Sequence, residues 1–253
     1  MYSVNFLCLQ QGNQNNEGEA IAKIKPLDHN AMEIAQKRWD SIAKPLHSLG
    51  KLETLLIQIA GITGNAEVDL SRRGLIAMCA DNGVVEEGVT QTGQEVTAIV
   101  AENFLKYDTS VGVLCKQNHA EIFPVDMGMV TDTKVRTDHK VAYGTQNMTK
   151  GPAMTREQAV KGLEAGIDMV RELNDKGYRI LATGEMGIGN TTTSSAVASV
   201  LLKQPVEEMT GRGAGLTSEG LVRKINAIKK AITLNKPDPE DAIDVLAKVG
   251  GLD

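Results

Sequence analysis

Arg179-Ile180-Leu181-Ala182-Thr183-Gly184-Glu185-Met186-Gly187-Ile188-Gly189-Asn190-Thr191-Thr192 decides the architecture of this chain. Its first five residues, Arg179 to Thr183, read as a strand. From Thr191 to Leu202 the sequence reads as a helix, opened by Thr191, Thr192, Thr193 and Ser194. The glycines between them let the backbone turn tightly and approach a ligand closely. Backbone N–H groups with no partner inside the helix, and the positive end of its dipole, point at that turn, so an anion is favoured there. A plainer reading of the same residues is a tight strand–helix turn with threonine caps.

The spacing Gly184-x-x-x-x-Gly189-Asn190-Thr191 approaches the P-loop pattern, but Asn190 stands where that pattern has lysine. Without the lysine the charge of a nucleoside triphosphate is not neutralised, and a single phosphate suits the loop better. The dinucleotide pattern G-x-G-x-x-G does not follow this strand. Gly211-Arg212-Gly213-Ala214-Gly215 is a second glycine-rich loop before a helix, and Lys224, early in that helix, could reach an anion. A flexible loop and a solvated lysine are the bland alternatives.

The same alternation extends outward. Gly74 to Ala80 is a short apolar run ending at Asp81-Asn82-Gly83, and Glu121 to Asp126 a second strand followed by Gly128. A third strand is expected near Lys140 to Tyr143. Helices are expected over about 28–40, 51–59, 94–106, 155–176 and 218–234, the fourth opened by a capping box of Thr155 and Gln158. Strands alternating with helices imply an α/β fold, a Rossmann-like parallel sheet with helices on both faces. In such sheets ligands bind beyond the carboxyl ends of the strands. The turns after Ala80, Val125 and Thr183 all lie there, each with an acid and a glycine: Asp81 and Gly83, Asp126 and Gly128, Glu185 and Gly187. Residues 1–24 read as a mobile leader, 25–60 as part of a small helical domain, and 61–253 as the α/β domain.

The 253 residues carry a net charge of −5 with basic residues scattered among acids, and aromatics make up only 3%. That leaves no electrostatic footprint or stacking platform for nucleic acid, and none for an anionic membrane. No apolar stretch approaches the roughly 20 residues that span a bilayer. Cys8, Cys79 and Cys115 are odd in number and widely spaced, and His29, His47, His119 and His139 lack ligand spacing. Neither a disulfide framework nor a metal site is expected, and the cytoplasm is the expected location.

Four collinear segments resemble the nicotinate-nucleotide:dimethylbenzimidazole phosphoribosyltransferases. Lys44-Pro45-Leu46-His47-Ser48-Leu49-Gly50-Lys51-Leu52-Glu53 is similar to that family's KPPGSLGRLE segment, with Leu46 and His47 replacing Pro-Gly. Ala80-Asp81-Asn82-Gly83-Val84, Glu87-Gly88-Val89 and Gln94-Glu95-Val96-Thr97 are similar to its ADHGV, EGV and QEVT stretches. Gly184 to Thr192 matches GEMGIGNTT, and Asp244 to Asp253 its DVLxKVGGxD segment.

The resemblance implies a reaction: nicotinate mononucleotide gives its 5-phosphoribosyl group to a nitrogen of 5,6-dimethylbenzimidazole or a related base, and nicotinate leaves. It implies phosphate and ribose contacts from Gly187, Ile188, Gly189, Asn190, Thr191, Thr192, Gly211, Gly213 and Lys224. It places Glu185 as a catalytic carboxylate beside the ribose, and Asp81, Asn82 and Gln94 along the base pocket, though Asp81 could equally cap its loop. It implies no cofactor, and a homodimer as the working form. The family's proposed catalytic base is a glutamate in an RLGEG segment, which would lie beyond residue 253, as would the other half of the helical domain. On that ground the 253 residues by themselves are expected to keep a phosphate site but show little or no turnover. A mononucleotide- or base-binding module without catalysis is the alternative.

Overall fold

The computed structural model describes residues 16–253. These fall into two compact units that divide at Arg72–Arg73. The expected mobile leader lies largely outside the described residues; its end, Asn16–Ala22, forms helix α1.

The smaller unit continues with α2 (His29–Ser41) and α3 (Lys51–Thr63). Asp28 caps α2 by accepting from the Ala31 N–H at 2.9 Å, the side-chain cap that relieves an otherwise unpaired helix-end donor. The two helices meet where Gly61 has no side chain: a Cβ there would lie 2.7 Å from Met32 Cγ and Sδ. The Lys44–Glu53 segment is the turn between them. Glu53, 3% exposed, accepts from the Leu49 N–H at 3.1 Å and from Lys44 Nζ at 2.8 Å. The Lys44 hydrogen bond holds the Glu53 carboxyl below its usual range.

The larger unit is built on three parallel strands, β1 (Arg73–Ala80), β2 (Ala120–Gly128) and β3 (Ile180–Met186), in the order β2-β1-β3. Around them run α4 (Glu95–Lys106), α5 (Ser110–Gln117), α6 (Arg156–Asp175), α7 (Asn190–Leu201), α8 (Val206–Met209), α9 (Ser218–Asn235) and α10 (Ala242–Val249). Successive residues of a strand point to opposite faces, and β1 shows both faces covered. Ile76 and Ala80 join Val125, Met169 and Leu173 in one cluster. Ala77 and Cys79 join Ala101 and Phe104 in another. Burial on both sides explains why β1 reads as an unbroken apolar run. It also pushes the Cys79 thiol up to about 12, with Asp126 adding to the shift.

The structure differs from the sequence expectation in two places. No strand forms at Lys140–Tyr143. Lys140 is drawn instead beneath the sheet edge, where its ammonium sits 3.0 Å from the wholly buried Asp126 and 3.8 Å from the centre of the Tyr143 ring. Val141 N donates to Met127 O at 2.9 Å, and Gly144, at φ +80°, then turns the chain before a ladder can develop. The second difference is three unforeseen helices, α5, α8 and α10. Thr109 caps α5 by accepting from Gly112 N–H at 3.0 Å. Asp241 caps α10 by accepting from Ile243 and Asp244 N–H, both at 3.1 Å.

The capping box on α6 is present: Thr155 Oγ1 accepts from Gln158 N–H at 3.2 Å, and Gln158 Oε1 from Thr155 N–H at 2.9 Å. Thr155→Ala should cost about 1 kcal/mol. Urea unfolding should show a lower midpoint with an unchanged slope; an unchanged midpoint would mean that solvent supplies the lost cap.

Candidate active site

The register of the sheet brings three turns to one edge. Cys79 stands opposite Asp126 on one side and Met186 on the other, with a bulge in β2 between Cys79 and Ala80. The turns that follow these residues therefore lie side by side.

The loop after β3 packs onto the turn after β1 because its glycines allow it. A Cβ on Gly189 would lie 3.1 Å from Asn82 Cβ and from Val85 Cγ2, and a Cβ on Gly187 only 2.4 Å from Ala80 O. Gly189 sits at φ +98°, a conformation open to glycine at little cost, and caps α7 from there. Asn190 then faces two ways. Its amide donates to the Glu185 carboxylate, and its Oδ1 accepts from the Thr191 N–H at 2.5 Å. Glu185 is exposed on the rim, held by this one side chain.

Lys224 comes to the same place from α9. It is 1% exposed, yet Nζ reaches Thr191 Oγ1 at 2.7 Å and Gly211 O at 3.2 Å. Among the described residues no carboxylate lies within ion-pair distance of it. Burial lowers its pKa. Gly213, at φ +55°, brings its backbone so close that a Cβ would lie 2.8 Å from Thr191 Oγ1. Gly187 to Thr191 and Gly213 thus line one cleft of about 230 Å³, Lys224 joining its wall through Thr191 and Gly211, and Glu185 through Asn190.

Other candidates sit behind this cleft. The Ile188 N–H is turned inward, donating to Thr97 Oγ1 at 3.1 Å. Thr192 is fully buried, its N–H donating to Gly189 O at 2.8 Å. Asp81 is 1% exposed, and its Oδ2 accepts from the Val130 N–H at 2.8 Å. Burial is the main cause raising the Asp81 pKa, opposed by hydrogen bonds from Val130 and the Thr97 hydroxyl. Asn82 is also buried; Gln94 Nε2 donates to its carbonyl at 3.1 Å.

Three contributors were not evident in the sequence reading. Val89 to Thr92 and Arg212 line the cleft. Gln91 closes one side by donating to Gly215 O at 2.6 Å, and Arg212 clips its own loop through Leu216 O at 2.7 Å. Asp253 is the third. Asn82 Nδ2 donates to its Oδ2 at 3.2 Å, and burial, aided by the charges of Glu185 and Asp81, pushes the carboxyl up to about 7. The Gly250-Gly251 pair before it was the available signal, since small residues permit close approach: a Cβ on Gly251 would lie 2.7 Å from Asn82 Oδ1.

The chain is similar to known proteins of one family. A family model described as Phosphoribosyltransferase matches residues 24–253. The nicotinate-nucleotide–dimethylbenzimidazole phosphoribosyltransferase of Ruminiclostridium cellulolyticum is 53% identical over 237 residues, covering 93% of this chain and 67% of that protein. Its counterpart in Clostridium tetani is 48% identical over 237 residues, covering 93% and 66%. The crystal structure of CobT from Thermus thermophilus superposes with a TM-score of 0.78 at 35% identity, covering 88% of this chain and 68% of that one. The chain spans about two thirds of the length of these relatives. It belongs to the nicotinate-nucleotide–dimethylbenzimidazole phosphoribosyltransferase family.

Proposed function

We propose that this chain holds the phosphoribosyl donor site of such a transferase, with nicotinate mononucleotide seated in the cleft between the β3–α7 loop and the Gly211–Gly215 loop. The observation that carries the reading is Lys224, a buried ammonium with no carboxylate beside it among the described residues. A buried charge is tolerated when a counter-charge is supplied, and a phosphate placed between Thr191 and Gly211 would supply it. The start of α7 adds its dipole and the Thr191 hydroxyl to the same anion.

With the phosphate fixed there, the ribose lies toward Glu185. In the transfer the bond from the anomeric carbon to the nicotinate nitrogen breaks, and a bond to a nitrogen of 5,6-dimethylbenzimidazole or a related base forms. Positive charge builds on the ribose as nicotinate leaves, and the acceptor's N–H proton must be taken up. Glu185, oriented by Asn190, is placed to offset that charge or assist that proton. The base is assigned to the turn near Asn82 and Gln94. The working assembly is a cytoplasmic homodimer, which sedimentation would test.

Calorimetric titration with nicotinate mononucleotide tests the donor site. One site that inorganic phosphate competes for is expected, and absence of both interactions would sink the reading. In the native enzyme Glu185→Gln should lower kcat for α-ribazole phosphate formation by about 100-fold while leaving mononucleotide affinity within a few-fold.

A further inference from the structure

Three loops at the edge of a sheet have no obligation to hold a common geometry, yet a phosphate needs its donors in register. The first turn of α4 supplies a link. Thr97 is fully buried at this turn, and its Oγ1 accepts from the Ile188 N–H at 3.1 Å. In the loop after β1, Asp81 carries a buried carboxyl. That carboxyl accepts from the Val130 N–H at 2.8 Å, in the turn after β2. Three residues before Thr97, Gln94 Nε2 donates to Asn82 O at 3.1 Å. One helical turn therefore ties the loops after β1 and β3 together, and Asp81 ties the first of them to the turn after β2.

We propose that Thr97 is a positioning residue for the phosphate-binding loop: a buried relay from the Thr97 hydroxyl to the Ile188 N–H sets where the following residues, Gly189 to Thr191, present themselves to the ligand. This rests on the donor-site reading above. Turning the Ile188 N–H inward fixes the orientation of that peptide, and the next peptides follow from it into α7. Thr97 itself touches no ligand; it acts through Ile188.

The test compares the parent chain with Thr97→Val, which keeps the shape and removes the hydroxyl, and Thr97→Ser, which restores it. Nicotinate mononucleotide affinity is measured by calorimetry well below each melting temperature, and exchange of the Ile188 amide hydrogen by NMR. Thr97→Val should weaken binding about 10-fold and expose the Ile188 amide to exchange at least 10-fold faster, by order of magnitude from the loss of one buried hydrogen bond. Thr97→Ser should stay within about two-fold of the parent on both, a rescue expected only if the hydroxyl's bond is what counts. Unchanged affinity and unchanged exchange in Thr97→Val would overturn the proposal. If the parent binds no mononucleotide, the donor-site reading fails by itself, and Ile188 exchange alone then decides the relay. Should Thr97→Val not fold, Thr97→Ala takes its place: unchanged exchange or equal affinity counts against the relay, and weaker binding with faster exchange supports it.

Discussion

Lys224→Met should all but abolish mononucleotide and phosphate binding while making the protein more heat-stable. The two effects share one cause. In the free protein the ammonium is 1% exposed and, among the described residues, is met by the Thr191 hydroxyl and the Gly211 carbonyl alone. Replacing a buried charge by an apolar side chain of similar length is commonly neutral or stabilising. Thr191 and Gly211 are both exposed, so water can take the place of the lost donor. A gain of about 1 kcal/mol is expected, or a melting temperature raised by roughly 2–4 °C for a unit of this size. Binding loses a charge-assisted contact, and affinity should fall about 100-fold.

The pH dependence has a definite sign. Burial lowers the folded-state pKa of Lys224 below 10.5. Between that lowered value and 10.5 the unfolded chain holds the proton and the folded one does not, so stability rises with pH across the window. The parent should therefore close its stability gap with Lys224→Met as pH climbs toward 10.5. Equal phosphate affinity in the two proteins would remove Lys224 from the site.

Much of this was legible because local rules and tertiary packing agree. The β3–α7 passage carries its own strand, turn glycines and helix start. The Thr155–Gln158 box forms as its spacing requires. What escaped was decided by partners distant in sequence. Lys140 to Tyr143 has strand-like composition, but the buried Asp126 claims Lys140. Val89 to Thr92 has no periodic signal and becomes part of the cleft only because Gln91 finds Gly215, 124 residues away. Asp81 was readable as an acid at a ligand-binding edge. Its inward turn depends on Val130, 49 residues on. Ile188 has the same origin: its place in the loop was evident, but the direction of its N–H is set by a hydroxyl 91 residues earlier.

Two nearby glycines, Gly184 in β3 and Gly187 in the loop after it, give the second large effect, because their surroundings differ although the sequence treats them alike. Gly187→Ala should destabilise strongly and empty the site; Gly184→Ala should do neither. A Cβ on Gly184 would meet Leu75 Cδ2 at 3.6 Å and Ile76 O at 3.7 Å, ordinary contacts. Its effect should stay within about 0.5 kcal/mol. A Cβ on Gly187 would lie 1.8 Å from Asp253 Oδ2 and 2.4 Å from Ala80 O. The Asp253 carboxylate could swing aside at the expense of its Asn82 hydrogen bond, but Ala80 is backbone at the end of the central strand. The loop must therefore lift off β1, carrying Ile188 from Thr97 and Gly189 from Asn82. Overpacking of this kind costs about 3 kcal/mol, a fall of roughly 6–12 °C in melting temperature. Mononucleotide affinity measured at low temperature, where Gly187→Ala is still folded, should drop at least 10-fold, since the donors after Gly187 lose their register. Melting curves and titrations that match for the two variants would mean that the loop does not rest on Ala80.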